Sequence, residues 1–169
     1  MELSPENILG QVETAVRESG GIILDNWSQT KSIRHKGRVD LVTETDVAVE
    51  RDLTAKLKGI LPEAGFLAEE TASEGDLGDT TWIVDPLDGT TNFAHSLPFV
   101  AVSVALWAEE KILLGVIHIP RLQETFTAIS GEGARLNNQP IGVSATGELR
   151  DSLTATGFPY NIDTRAEEE

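Results

Sequence analysis

The pattern of apolar and polar positions divides the chain into a helical half followed by a strand-rich half. Ile8, Leu9, Val12, Val16 and Ile23 recur at helical spacing. Ser4-Pro5-Glu6 precedes them with a capping hydroxyl, a proline at the first helical position and an acid at the positive end of the helix dipole, so a helix is predicted to start there. A polar, basic stretch from Lys31 to Arg38 follows. Val49, Leu53 and Leu57 then predict a second helix, starting near Thr43 or Thr45 and ended by Gly59 and Pro62.

Beyond that point the period changes. Phe66-Leu67-Ala68 is a short apolar run that stops at Glu69-Glu70, and Trp82-Ile83-Val84 is another that stops at Asp85. Val100, Val102, Val104 and Leu106 alternate with Ala101, Ser103 and Ala105, the period of a strand with small residues on one face. Glu109-Glu110-Lys111 predicts a turn into a strand from Ile112 to Ile119, and Thr125 to Ile129 predicts the next. Gly131 and Gly133 mark a turn, Asn137-Asn138 marks a further hairpin, and Ser152 to Thr156 reads as a last strand. Helices first and then a meander of strands argue for an α+β fold, two N-terminal helices packed on a largely antiparallel sheet. There is no repeat or linker; Thr71 to Thr80 reads as a loop and Arg165 to Glu169 as a frayed tail.

Composition narrows the partners. Of 169 residues, 28 are Asp or Glu against 13 Lys or Arg, a balance that repels nucleic acid and anionic membrane. An anionic substrate would be repelled too, unless cations neutralise its site first. The absence of cysteine removes disulfides and thiolate metal sites. Met1-Glu2-Leu3-Ser4-Pro5 lacks the basic start and apolar run of a signal peptide, and no apolar stretch is long enough to span a bilayer, so a cytoplasmic location is expected.

Three acidic groups stand at the ends of predicted elements. Asp40 and Asp46 flank the start of the second helix, Glu69 and Glu70 close the Phe66 run, and Asp85 and Asp88 lie in Asp85-Pro86-Leu87-Asp88-Gly89-Thr90-Thr91-Asn92-Phe93. Carboxylates that converge repel one another unless cations lie between them, and hard oxygen ligands without Cys suit Mg²⁺. The Gly89-Thr90-Thr91 turn adds backbone N–H groups at the opening of a predicted short helix, which suits a phosphate.

The segment Asp85 to Phe93 resembles the signature of the inositol monophosphatase family, and Glu69-Glu70 and Asp40 to Asp46 stand at that family's spacing upstream. Gly157-Phe158-Pro159 is similar to bacterial members, and Thr91-Asn92-Phe93 favours the inositol monophosphatase branch over relatives acting on adenosine bisphosphate or histidinol phosphate. The resemblance covers nearly the whole chain and implies that residues 1–169 form the N-terminal, metal-binding part of a layered α/β sandwich. It implies a Mg²⁺-dependent phosphomonoesterase acting on inositol monophosphate or a related small polyol phosphate, with two or three ions in the complete site and a homodimer in the complete protein. By the same resemblance, Glu69, Asp85 and the Leu87 carbonyl would hold one metal, and Asp85 with Asp88 a second. The N–H groups of Gly89 and Thr90 would hold phosphate oxygens; Thr90 and Asp46, with Glu69 assisting, would orient the attacking water. Lys36, Asp40 and Glu70 are auxiliary candidates. Members of the family continue past the end of this chain, in a part that carries a further metal-binding aspartate and the residues that choose the alcohol. Ser96 stands where a glycine is common.

Each feature taken alone has a plainer reading. Adjacent glutamates are commonly solvated, Asp-Pro and Asp-Gly pairs are commonly turns, Asp46 suits a helix dipole, and Lys36 suits a solvated loop. His35 and His118 read as structural, His95 as packed in its loop, and Trp82, Phe93 and Phe99 as core. Two other classes stay open: a regulatory or partner-binding protein that reuses the fold, and a catalytically incomplete fragment. The joint occurrence of three acidic groups and the Gly-Thr turn, in order and spacing, favours the phosphatase.

Overall fold

The computed structural model describes residues 4–29, 33–35, 41–68 and 78–156. Helix α1 (Pro5–Asp25) begins as the sequence predicts, with the Ser4 hydroxyl accepting from the Asn7 N–H and Pro5 in the first turn. Helix α2 (Glu44–Ile60) is capped by Thr43, and its backbone ladder ends as Gly59 and Pro62 predict. Between them lies a pair that the sequence pattern does not announce. Strands β1 (Ile33–His35) and β2 (Leu41–Thr43) run antiparallel, with Ile33 opposite Thr43.

The remaining strands are β3 (Gly65–Ala68), β4 (Thr80–Asp88), β5 (Ala101–Ala108), β6 (Lys111–Ile119), β7 (Glu124–Ile129), β8 (Gly133–Leu136) and β9 (Gln139–Ile141). Among the described residues they form one sheet in chain order; β3 lies parallel to β4 and every later pair is antiparallel. Two of its hairpins close on two-residue turns. Glu109 and Glu110 both have positive φ between β5 and β6, as do Asn137 and Asn138 between β8 and β9, the backbone twist that tight hairpins require.

Helices α1 and α2 cover one face. Ile8, Val12, Val16 and Ile23 from α1 and Val49, Leu53 and Leu57 from α2 pack with Trp82, Val84, Val102, Val104, Leu106, Leu114 and Val116 in one core. Gly20 lets α1 approach closely: a Cβ there would lie 2.7 Å from Cδ2 of His118. His118 is structural, its Nδ1 within 3.1 Å of the Glu124 carbonyl and 2.9 Å of Thr125 Oγ1. The opposite face carries a registered row of apolar or small residues, Leu67, Ile83, Ala105, Gly115, Ala128, Ala134 and Ile141, each paired with the next across the sheet.

Four sequence expectations are corrected. The Trp82 strand does not stop at Asp85 but continues to Asp88 through a bulge. Ser152 to Thr156 forms no strand; a 3₁₀ turn (Leu149–Asp151) precedes it, and Leu153 is wholly exposed. A strand exists only where a neighbouring strand takes its backbone groups; no described strand pairs with this segment, and the Ser152 N–H turns back to the Leu149 carbonyl. Phe99 is 66% exposed rather than core, whereas Trp82 and Phe93 are fully buried. His95 is exposed rather than packed. Among the described residues no helix is long and apolar enough to cross a membrane. Gly157-Phe158-Pro159, the tail from Arg165 and the first seven residues of the loop from Thr71 lie outside the described residues.

Candidate active site

The site is built on the bulge in β4. Asp85 pairs with Ser103 and Asp88 with Ala101, so Pro86 and Leu87 together stand opposite Val102 alone. Proline has no N–H to give the ladder and is accommodated in an interior strand at such a bulge. The extra residue changes which way the carboxylates face. In a regular strand, residues three apart point to opposite faces. Ser103 and Ala101 lie on the same face of β5, so the register sets Asp85 and Asp88 on one face, over its small side chains. Pro86 and Leu87 are both buried, Asp85 is half-buried and Asp88 is exposed. The Asp85 carboxylate accepts from the Leu87 N–H at 3.1 Å, which closes the bulge as an Asx turn.

Gly89 follows with φ of 90°, caps the short helix α3 (Thr90–Ala94), and could not be another residue at ease: a Cβ there would lie 2.9 Å from the Phe99 carbonyl oxygen. The helix carries Thr90 to the N-terminus of α2. Thr90 Oγ1 lies 2.9 Å from Asp46 Oδ1 and 3.1 Å from the Leu87 carbonyl oxygen. A hydroxyl has one proton, and the carboxylate is the stronger acceptor, so Thr90 donates to Asp46 and keeps its lone pairs for another partner. The other Asp46 oxygen accepts from the Thr43 N–H at 2.9 Å and lies very close to the Thr43 hydroxyl, which in turn accepts from the Thr45 N–H. Asp46 is 1% exposed. It is therefore both the acid of a capping box and the acceptor for Thr90.

The structure thus brings Asp46, Thr90, Leu87 and Asp85 together: Thr90 bonds Asp46 and lies 3.1 Å from the Leu87 carbonyl oxygen, Asp85 bonds the Leu87 N–H, and Asp88 and Gly89 stand beside them in the chain. Glu69, Glu70, Lys36 and Asp40 lie outside the described residues. Among the described residues no group of three His, Cys, Asp or Glu side chains is close enough to hold a metal ion. The described donors, the carboxylates of Asp85 and Asp88 and the carbonyl of Leu87, are hard oxygens, the donor chemistry that Mg²⁺ takes. Glu50, one turn beyond Asp46 on α2 and also buried, escaped the sequence reading; its only signal was its helical spacing from Asp46.

Comparison with known proteins is consistent along the chain. The profile of the Inositol monophosphatase family matches residues 4–169. Inositol monophosphatase 3 of Solanum lycopersicum is 46% identical over 164 residues, which are 95% of this chain and 61% of that protein. Inositol-1-monophosphatase of Synechocystis is 42% identical over 149 residues, 87% of this chain and 52% of that protein. Among solved structures, the extragenic suppressor protein suhB of Bartonella henselae superposes with a TM-score of 0.77 at 37% identity, covering 82% of this chain and 55% of that one. The chain therefore spans between about half and three-fifths of these relatives' length.

Proposed function

Because the chain belongs to the inositol monophosphatase family, we propose that it carries the N-terminal, metal-binding part of a Mg²⁺-dependent phosphomonoesterase that hydrolyses inositol monophosphate or a related small polyol phosphate. The observation that carries this reading is the pairing of two features on adjoining residues. The bulge sets Asp85 and Asp88 on one face, and the next turn delivers the Thr90 hydroxyl to a buried carboxylate.

In this proposal Glu69, Asp85 and the Leu87 carbonyl would hold one metal and Asp85 and Asp88 would hold a second, with two or three ions in the complete site. When bound, the cations acidify the attacking water and stabilise the departing alkoxide. The chain's own residues do the rest. Gly89 and Thr90 turn backbone N–H groups toward the phosphoryl oxygens at the start of α3. Thr90 Oγ1 donates to Asp46 Oδ1, so its lone pairs accept a hydrogen from the attacking water and leave the water's own lone pair for phosphorus. The capping box holds Asp46 by its other oxygen, which fixes where Oδ1 can lie. Glu69 assists at the same water, and Lys36, Asp40 and Glu70 act as auxiliary charges. The proposal includes a cytoplasmic homodimer that takes a small phosphorylated polyol; the net charge of −15 weighs against nucleic acid and anionic membrane as partners.

The test is phosphate release from inositol 1-phosphate, with the chain assayed alone and continued to the length of its relatives. Mg²⁺-dependent release by the longer form is expected. Undiminished turnover in excess chelator would overturn the reading.

A further inference from the structure

Asn92 belongs to the signature-like segment, yet neither the metal set nor the water-orienting pair uses it. We infer that Asn92 is a positioning residue that aims the Gly89–Thr90 turn, an inference that rests on the phosphatase reading for its functional consequence. Its carboxamide Nδ2 donates to the Phe99 carbonyl at 2.8 Å. Its own carbonyl accepts from the Leu97 N–H, also at 2.8 Å. One residue therefore holds the following loop twice, once at its middle and once at its end.

The Phe99 carbonyl is the atom that also meets Gly89. The position a Cβ on Gly89 would occupy lies 2.9 Å from that oxygen, 3.4 Å from Asn92 Nδ2 and 3.7 Å from Asn92 Cβ. The carbonyl fits against Gly89 because no side chain is there, and the Asn92 carboxamide keeps it there. Apolar burial holds only the far end of this loop, at Val100; Leu97 is 50% and Phe99 66% exposed, so neither side chain fixes where the Phe99 carbonyl lies. The β4–β5 ladder ends at Asp88 opposite Ala101, so the latch carries the constraint past the last paired residues to the turn itself. Gly89 in turn accepts the Phe93 N–H at 2.9 Å, which ties its left-handed conformation to the first turn of α3. Loss of the Asn92 donor lets the Phe99 carbonyl move off Gly89, and the N–H groups of Gly89 and Thr90 lose their common aim.

The test uses the ¹⁵N-labelled chain in two variants. Asn92→Ala removes the donor without adding charge. Asn92→Asp keeps the shape but sets a carboxylate against a carbonyl at neutral pH; below about pH 4 the protonated acid can donate again. Amide exchange is read at Phe93, with Val104 in the middle of β5 as the control, and each variant is compared with the parent at the same pH. Inorganic phosphate is titrated with Mg²⁺ present and followed at the Gly89 and Thr90 amides.

Phe93 protection is expected to fall about tenfold in Asn92→Ala with Val104 unchanged, the size of one ordinary hydrogen bond. It should fall in Asn92→Asp at neutral pH and return in acid, and phosphate affinity should fall several-fold in Asn92→Ala. Unchanged Phe93 protection in both variants overturns the inference. So does lowered protection with unaltered phosphate affinity, which would make Asn92 structural only. If neither the parent chain nor its form continued to the length of its relatives shows a phosphate response at Gly89 or Thr90, the phosphatase reading fails, while Phe93 protection still decides whether Asn92 holds the turn.

Discussion

The Thr90 hydroxyl donates to Asp46 across 44 residues of chain, at 2.9 Å, and joins the start of α3 to the capping box of α2. Two helix N-termini thereby share one buried carboxylate. Since Asp46 also takes the Thr43 N–H, its orientation depends on local helix capping, and the direction of the Thr90 hydrogen bond depends on Asp46.

Thr90→Ala should therefore lower turnover and leave the Michaelis constant nearly unchanged in a form of the protein that hydrolyses inositol 1-phosphate. A positioning or transition-state hydrogen bond is worth a few kcal/mol, so the loss should be about ten- to several-hundred-fold. Thr90→Ser keeps the hydroxyl and should keep most of the rate. Steady-state kinetics on the three proteins decide it; a change confined to the Michaelis constant would remove Thr90 from the water.

Asp85 and Asp88 share a face and both repel a further negative charge, so Mg²⁺ should raise the melting temperature by binding the folded chain. Sodium at equal ionic strength should do much less. Asp88 is exposed, so Asp88→Asn should fold normally, lose most of the Mg²⁺-specific shift and nearly abolish turnover in the active form. Thermal scans with equal shifts for the two salts would reduce the effect to screening.

Ser96 occupies the left-handed region at φ of 59°, while the Ser96 N–H bonds Phe93 and the Leu97 N–H bonds Asn92. That is a Schellman cap with serine at the position where glycine is least strained. It supplies a physical reason why glycine suits this place in the segment. Ser96→Gly should stabilise the chain by about 0.5–1 kcal/mol, read as a higher urea midpoint at unchanged slope. A lower midpoint would show that the serine side chain contributes more than its backbone strain costs.

Asp52 on α2 meets Ser19 of α1 and Lys56, each at 2.8 Å. Burial alone pushes its carboxyl up, but the hydrogen bonds from Lys56 and Ser19, with the charges of Lys56 and Arg51, outweigh that and bring it below the ordinary value. A depressed folded-state value means that its contribution is present above the unfolded value, about 3.9, and is lost as pH falls through the folded one. Urea unfolding should show Asp52→Asn costing more stability at about pH 6 than at about pH 3. An equal cost at both would mean that the carboxylate's charge contributes nothing.

Local chemistry alone sufficed for much of the fold. Ser4-Pro5 starts α1, Thr43 caps α2, Val100 to Leu106 alternate along β5, and Asn137-Asn138 turns the last hairpin. Each depends on a residue's own φ preference, its capping groups or the burial of one face, and such effects act over a few neighbours. The signature-like segment also marks Asp85, Asp88, Gly89 and Thr90 by sequence alone.

What the chain does with those residues depended on partners distant in sequence. The bulge that turns Asp85 and Asp88 to one face is a matter of register against Ser103 and Ala101, because pairing one strand with another decides which residue is left over. Ser152 to Thr156 has strand-like residues but pairs with no described strand, and Phe99 is apolar yet exposed while its carbonyl takes the Asn92 carboxamide. Asp46 shows the division within one side chain. Its capping role is written in the residues beside it, whereas its bond to Thr90 exists only because the sheet and the two long helices bring α3 to the N-terminus of α2.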